Sequence, residues 1–409
     1  MPVQESPLHS FPPRCRHSGF LLVLSLALLA LGLLLTQLPT GPALAQDLAP
    51  TPTMNTIVVT TLEDENKKDG DCSLREAIEA ANSDFGQDAC PAGNGLDKID
   101  LTGLQGTIEL NSQLVVISKV VISGPGAARL VLSGGGENRI FILTPNAHVL
   151  LSDISIADGY AQYGDGGGIF NEGVLSLLRC QFYDNASRAS GGALANTGRL
   201  AVGDSTFYAN RADLNGGALY NIDGEVRVTS STFSGNRASL NADLANYGGG
   251  ALSNLQVEMT ATLSIQHSTI TGNSAKWGGG VSNSAGDLAI SHSILAGNSV
   301  LAGGQGPNCH SMSAITGSYN LESGRDCGFT GAGDLQNADP HLGPLRANGG
   351  QTLTHALLRG SAAIDQGDPL FAPPPANDQR GPIYPRLVAG RIDIGAFEAW
   401  YQLFLPVTH

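Results

Sequence analysis

Catalysis or ligand binding needs ionisable or metal-binding side chains held within reach of one another. His267 and His292 hold equivalent places in a repeated pattern, one repeat apart, and form a candidate ligand column for a metal or small ligand. Two ligands fall short of the roughly three or four that a dedicated zinc site uses. An acidic turn, Glu63-Asp-Glu-Asn-Lys-Lys-Asp-Gly-Asp71, offers Asp69 and Asp71 as calcium candidates, without the roughly six to eight oxygens of a full calcium set. Sugar hydrolysis needs paired carboxylates about 5–9.5 Å apart. Polysaccharide elimination needs an acidic metal cluster and a base.

Whether such pairs exist depends on the repeat. A glycine-rich phrase returns five times, as Gly166-Gly-Gly-Ile-Phe-Asn171, Gly191-Gly-Ala-Leu-Ala-Asn196, Gly216-Gly-Ala-Leu-Tyr-Asn221, Gly249-Gly-Ala-Leu-Ser-Asn254 and Gly278-Gly-Gly-Val-Ser-Asn283. Each copy is followed by a second phrase ending in Asn185, Asn210, Asn236, Asn273 or Asn298. Aligned on these asparagines, Leu175, Leu200, Val226, Leu263 and Leu288 make one apolar column, and Leu177, Val202, Val228, Ile265 and Ile290 another two residues on. A third column is Phe182, Phe207, Phe233, Ile270 and Leu295. Apolar residues two apart mark a strand with one face buried. Units of this length hold three short strands and their turns, one coil of a solenoid.

The expected fold is therefore all-β, a right-handed parallel β-helix with three short strands per coil, capped at both ends. Its two asparagine columns should form amide ladders along the axis. The runner-up is a leucine-rich repeat, but its leucine–asparagine consensus is absent.

In this register no column of the five regular coils holds adjacent acids. One outward column reads Arg179, Asp204, Ser230, His267, His292, and another reads Arg188, Asp213, Ser239, Lys276, Leu301, where Arg188 and Asp213 could pair. Both read as solvated polar faces. Asp153 and Asp158 precede the regular coils and Asp165 sits on a turn, so the test does not reach them.

Residues 1–45 read as a secretory signal peptide, with Arg14 and Arg16 before an apolar run and Ala43-Leu-Ala45 at its exit. Residues 46–56 are a Pro/Thr linker. Residues 57–96 form an N-terminal cap whose helix begins at the capping box Ser73/Glu76. The β-helix spans 97–330, and 331–409 is a C-terminal cap over the far end. Export permits disulfides, and the equal separations pair Cys72 with Cys90 and Cys309 with Cys327. Cys180 falls in a column with Ser205, Ser231, Ser268 and Ser293, a small inward residue rather than a nucleophile. Formal net charge is −14, which argues against nucleic acid and anionic membranes as partners. Past the leader, no stretch is long and apolar enough to span a bilayer.

Cys72-Ser-Leu-Arg-Glu-Ala77 resembles the N-terminal domain named for that hexapeptide, found on exported bacterial proteins. The repeated phrases resemble polymorphic outer-membrane-protein repeats. Gly343-Pro-Leu-Arg-Ala-Asn-Gly-Gly-Gln-Thr-Leu-Thr-His355, Gly360-Ser-Ala-Ala-Ile-Asp365, Asp378-Gln-Arg-Gly381 and Asp393-Ile-Gly-Ala-Phe-Glu398 resemble the choice-of-anchor Q-type domain. The resemblance implies a pectate-lyase-like β-helix on an exported, extracellular or cell-surface bacterial protein, and no catalytic residues.

The functional expectation is a non-catalytic adhesion, structural or glycan-binding role, with a surface glycan or another surface protein as partner and no cofactor beyond the candidate calcium. The alternatives are a carbohydrate-active enzyme on the same fold and a passive spacer. Extra residues at 237–248 and 255–262 should emerge as loops and carry the partner site.

Overall fold

The computed structural model describes residues 54–238, 248–388 and 390–400. The signal-peptide reading at 1–45, most of the linker, the centre of the 237–248 insertion and the tail from 401 lie outside the described residues.

The chain forms a parallel β-helix with three walls. The first wall stacks ten strands, from Asn55–Val58 through Leu96–Asp100 and Val174–Leu178 to Ile315–Thr316. The second also has ten, from Gly106–Glu109 through Gln181–Tyr183 to Leu335–Gln336. The third has eight, from Leu114–Val116 to Cys309–Ser311. All pairing between coils is parallel and follows the register of the sequence columns. Leu175 pairs with Leu200, Leu200 with Val226, Val226 with Leu263 and Leu263 with Leu288. These side chains are buried, and Phe182, Phe207 and Phe233 stack face to face at 4.6 and 4.8 Å between centroids.

Two amide ladders run through this interior. Asn171 donates to Asn196 (2.6 Å), Asn196 to Asn221 (2.8 Å), Asn221 to Asn254 (2.7 Å) and Asn254 to Asn283 (2.8 Å). Asn185, Asn210, Asn236, Asn273 and Asn298 are linked the same way, and Asn298 passes on to Asn308. Each carboxamide also accepts a backbone N–H or donates to a carbonyl, so it satisfies the polar backbone of a buried corner. The serine column does likewise: Ser205 Oγ accepts from Cys180 N and Ser231 Oγ from Ser205 N.

The paired glycines serve two needs. Gly191 has φ 67°, which a side chain rarely adopts. A β-carbon on Gly192 would lie 2.2 Å from the Gly217 carbonyl oxygen of the next coil. The corner between the first and second walls is turned by single non-glycine residues with positive φ: Asp153, Arg179, Asp204, Ser230, His267, His292 and Tyr319. Aspartate and histidine tolerate this conformation better than most residues.

The helix α1, Leu74–Ser83, carries the expected capping box: Ser73 Oγ accepts from Glu76 N while Glu76 accepts from Ser73 N. Its buried face, Leu74, Ala77, Ile78 and Ala81, packs at the mouth of the first coil. Arg75 grips the Asp64 carboxylate with two bonds and reaches the Ser112 carbonyl, tying the cap to that coil. Disulfides join Cys72 to Cys90 and Cys309 to Cys327. Near the far end of the interior Glu322 takes the place below Leu295, with Gln336 paired beneath it, and accepts from the backbone of Asp326 and Cys327. Burial pushes its carboxyl up to about 7.

The C-terminal segment departs from the expected cap over the far end. It folds back along the outside of the second wall. Leu353 O accepts from Thr206, His355 bonds Ser234, Ala396 N donates to Thr269, and Gly395 N donates to His292. Ile294, Ala296 and Leu321, which face outward from the last coils, are buried with Leu357, Ala363, Ile394 and Phe397 of this segment. An apolar outer face there must be covered, and this segment covers it.

Candidate functional site

The first candidate is the corner column with His267 and His292. Their rings stack at 4.7 Å between centroids and 15° between planes, and Tyr319 continues the stack below. Phe371 presses edge-on against His267. The column is not the solvated face expected from the sequence. His267 is 4 % exposed, and burial lowers its pKa well below the ordinary histidine value. The pair is also ill-suited to share a metal. Imidazole lone pairs lie in the ring plane, and two near-parallel stacked planes do not converge on one ion. The histidines are a packing surface for the C-terminal segment.

That segment is held by the residues of its two most distinctive motifs. Gln379 bridges two coils, accepting from Thr232 Oγ1 (2.6 Å) and donating to Thr206 Oγ1 (2.9 Å). Arg380 forms a buried bidentate pair with Asp378 and lies between the rings of Tyr384 and Phe397, 3.9 and 3.7 Å from their centroids. Arg386, fully buried, donates to Gly395 O and Ser230 Oγ. Asp393 accepts from Asp365 N and Ala399 N, and Glu398 accepts from Asp393 N. Burial pushes Asp393 up to about 6, Asp204 to about 7 and Glu398 to about 9. Every one of these groups bonds within the protein or lies beneath the segment, and their roles are structural.

The second candidate lies on the second wall, past the edge of that cover. Tyr183 and Tyr208 point outward from adjacent coils and stack at 5.1 Å and 15°. Both rings are partly exposed. Beside them the corner residues Asp158 and Asp184 sit in register on neighbouring coils, because Ala157 pairs with Tyr183. Both are exposed and both have positive φ. Partial burial, with Asp158 adding, raises the Asp184 pKa. Burial, Tyr183 and Asp184 push the Tyr208 phenol up to about 12. Tyr160 lies next along the same coil and accepts from Arg188 Nε at 2.8 Å.

Asp158, which precedes the regular coils, stands above Asp184 in one column. The register was hidden because Gly159 stands where later coils carry the ladder asparagine; Gly159 N instead donates to Asn185 Oδ1. Arg188 bonds Tyr160 rather than Asp213, which faces Arg211 at 3.9 Å. The repeated Phe-Tyr at 182–183 and 207–208 was the available signal for the tyrosine pair, since alternation turns the residue after an inward phenylalanine outward.

The other sequence candidates are dispersed. Asp153 is locked in a bidentate pair with Arg179, and Asp165 accepts from Ser190 N. Asp69 and Asp71 come together with Glu65, their carboxylate oxygens within 4.8 Å of one another, and Lys67 already pairs with Glu65. Cys180 is buried and its thiol is pushed up to about 12, which keeps it protonated. In the 255–262 loop, Val257 and Met259 are exposed, and Asp223 accepts from Val257 N and Glu258 N.

No family model, curated protein or solved structure matches this chain.

Proposed function

We propose that this chain is an exported, cell-surface β-helix whose work is binding, and that it holds a glycan at the patch of Tyr183, Tyr208, Asp158 and Asp184. The stacked tyrosines beside two exposed carboxylates carry this reading. Aromatic rings offer an apolar body for the C–H face of a sugar and a polar edge for its hydroxyls. Ionised carboxylates accept sugar hydroxyl protons in short, strong bonds. A patch built on rigid parallel strands loses little freedom on binding. The leader-like N-terminus, the two disulfides and the resemblance of the end motifs to exported surface proteins support the location.

A carbohydrate-active enzyme is the second reading, favoured by one observation: Asp158 and Asp184 stand on adjacent coils, as an acid and a base would. The two readings separate in one experiment. The protein is incubated with neutral and uronic-acid polysaccharides, and retention on the polymer is measured beside release of reducing ends and unsaturated products. Binding without product supports the proposal. Product formation lost in Asp158→Asn or Asp184→Asn replaces it with the enzyme.

A further inference from the structure

The N-terminal end of the solenoid brings a buried carboxylate together with two further oxygens. Asp97 belongs to the inward column of the first wall, in register with Val120 and, further along, Val149 and Leu175. Apolar residues fill that column in the coils that follow, yet Asp97 is 0 % exposed. Its Oδ1 accepts from Asn94 N at 2.9 Å, but its Oδ2 is buried with no hydrogen-bond partner. A buried carboxylate oxygen without a partner is costly, and such groups are paired or coordinate metals.

Oδ2 is directed at other oxygens. The position that a β-carbon on Gly93 would occupy lies 2.6 Å from Asp97 Oδ2, 2.9 Å from Asp84 Oδ1 and 3.0 Å from the Ala80 carbonyl oxygen. Three oxygens thus gather around one small volume in front of the Gly93 α-carbon, where any larger residue would place its side chain. Two further facts make the volume negative. Ala80 lies in the last turn of α1, whose carbonyl end carries partial negative charge, and that turn has no basic residue. Asp84 is the C-cap of the same helix, held at φ 57° with Gly95 N donating to its Oδ1. Lys98, on the same strand as Asp97, is committed to Asp100 at 2.8 Å. Asp84 is exposed, so the cluster reaches the surface on that side.

We infer that Asp97, Asp84 and the Ala80 carbonyl hold a divalent cation of the calcium class, which joins the helical cap to the first coil. Hard oxygen ligands from two carboxylates and a backbone carbonyl are the set calcium takes, with water completing the shell. The site is separate from the acidic turn of Asp69 and Asp71, where Lys67 already supplies a positive charge.

The test is thermal unfolding of the purified protein after chelation, with calcium or magnesium then added, alongside Asp97→Asn, the exposed-site variant Asp84→Asn, and the double variant Asp69→Asn/Asp71→Asn. Calcium at about ten times its dissociation constant should raise the midpoint of the wild type by about 2 °C. Asp97→Asn and Asp84→Asn should each abolish the rise, while Asp69→Asn/Asp71→Asn keeps it. The inference is overturned by a wild type that does not respond to millimolar calcium, or by a response that survives Asp84→Asn. It is equally overturned by a response lost only in Asp69→Asn/Asp71→Asn, which places the ion at the acidic turn.

Discussion

Gln379 and Thr232 are 147 residues apart in sequence and joined by a 2.6 Å hydrogen bond that fastens the C-terminal segment to the second wall. With the Nε2 bonds to Thr206 Oγ1 and Leu353 O, one carboxamide ties two coils and the returning chain together. Truncation in Gln379→Ala leaves these buried groups unpaired and should cost about 2–4 kcal/mol. Limited proteolysis should then cut within 340–388 before it cuts the coils. Equal protection of the two regions would contradict this role.

The ladders make a separate prediction. Asn210 accepts from the Asn185 backbone and side chain and donates to Phe182 O and Asn236. Asn210→Ala removes all four bonds inside a buried corner and should lower stability by about 2–4 kcal/mol in urea unfolding. A change below about 0.5 kcal/mol would mean that the ladder contributes no net stability.

Acid and base each weaken the packing of the C-terminal segment on the coils, through different groups. His267 is buried neutral, so its contribution is present above the unfolded histidine value near 6.5 and lost as pH falls below it. His267→Gln cannot titrate and should lose less stability than the wild type between pH 7.5 and 5.5. Glu398, raised to about 9, is protonated in the folded chain at neutral pH and ionised when unfolded. Its contribution is full below about 4.5 and is lost as pH rises through 9. Glu398→Gln should therefore gain on the wild type as pH rises from 5 to 8. Stability curves parallel to the wild type in either variant would rule out the corresponding titration.

Most of the architecture could be read from the sequence because stacking puts like residues over like. One asparagine register places the leucine, phenylalanine and serine columns together, and the same logic assigns Cys180 to a serine ladder. Outward residues are harder to read. The same register brings His267 and His292 together but says nothing of Phe371 and Arg386, which come from the distant C-terminal segment. Asp158 escaped because Gly159 breaks the asparagine pattern at that coil. Asp97 escaped because it lies in the first coils, before the repeated phrase begins.

Cys180 gives a simple check of that interior. The native protein should leave it unmodified by a thiol reagent at pH 8, with alkylation appearing only in denaturant, since its thiol is buried and pushed up to about 12. Rapid labelling of the native protein would place it at an open surface.

The central claim, binding at the tyrosine patch, is tested most directly by a glycan array probed in parallel with the wild type and with Tyr183→Ala/Tyr208→Ala, both shown to be folded by circular dichroism. The wild type should bind a definite set of glycans, and the variant should bind the same set roughly ten- to hundred-fold more weakly. Undiminished binding by the variant, or no glycan bound by the wild type, would contradict it.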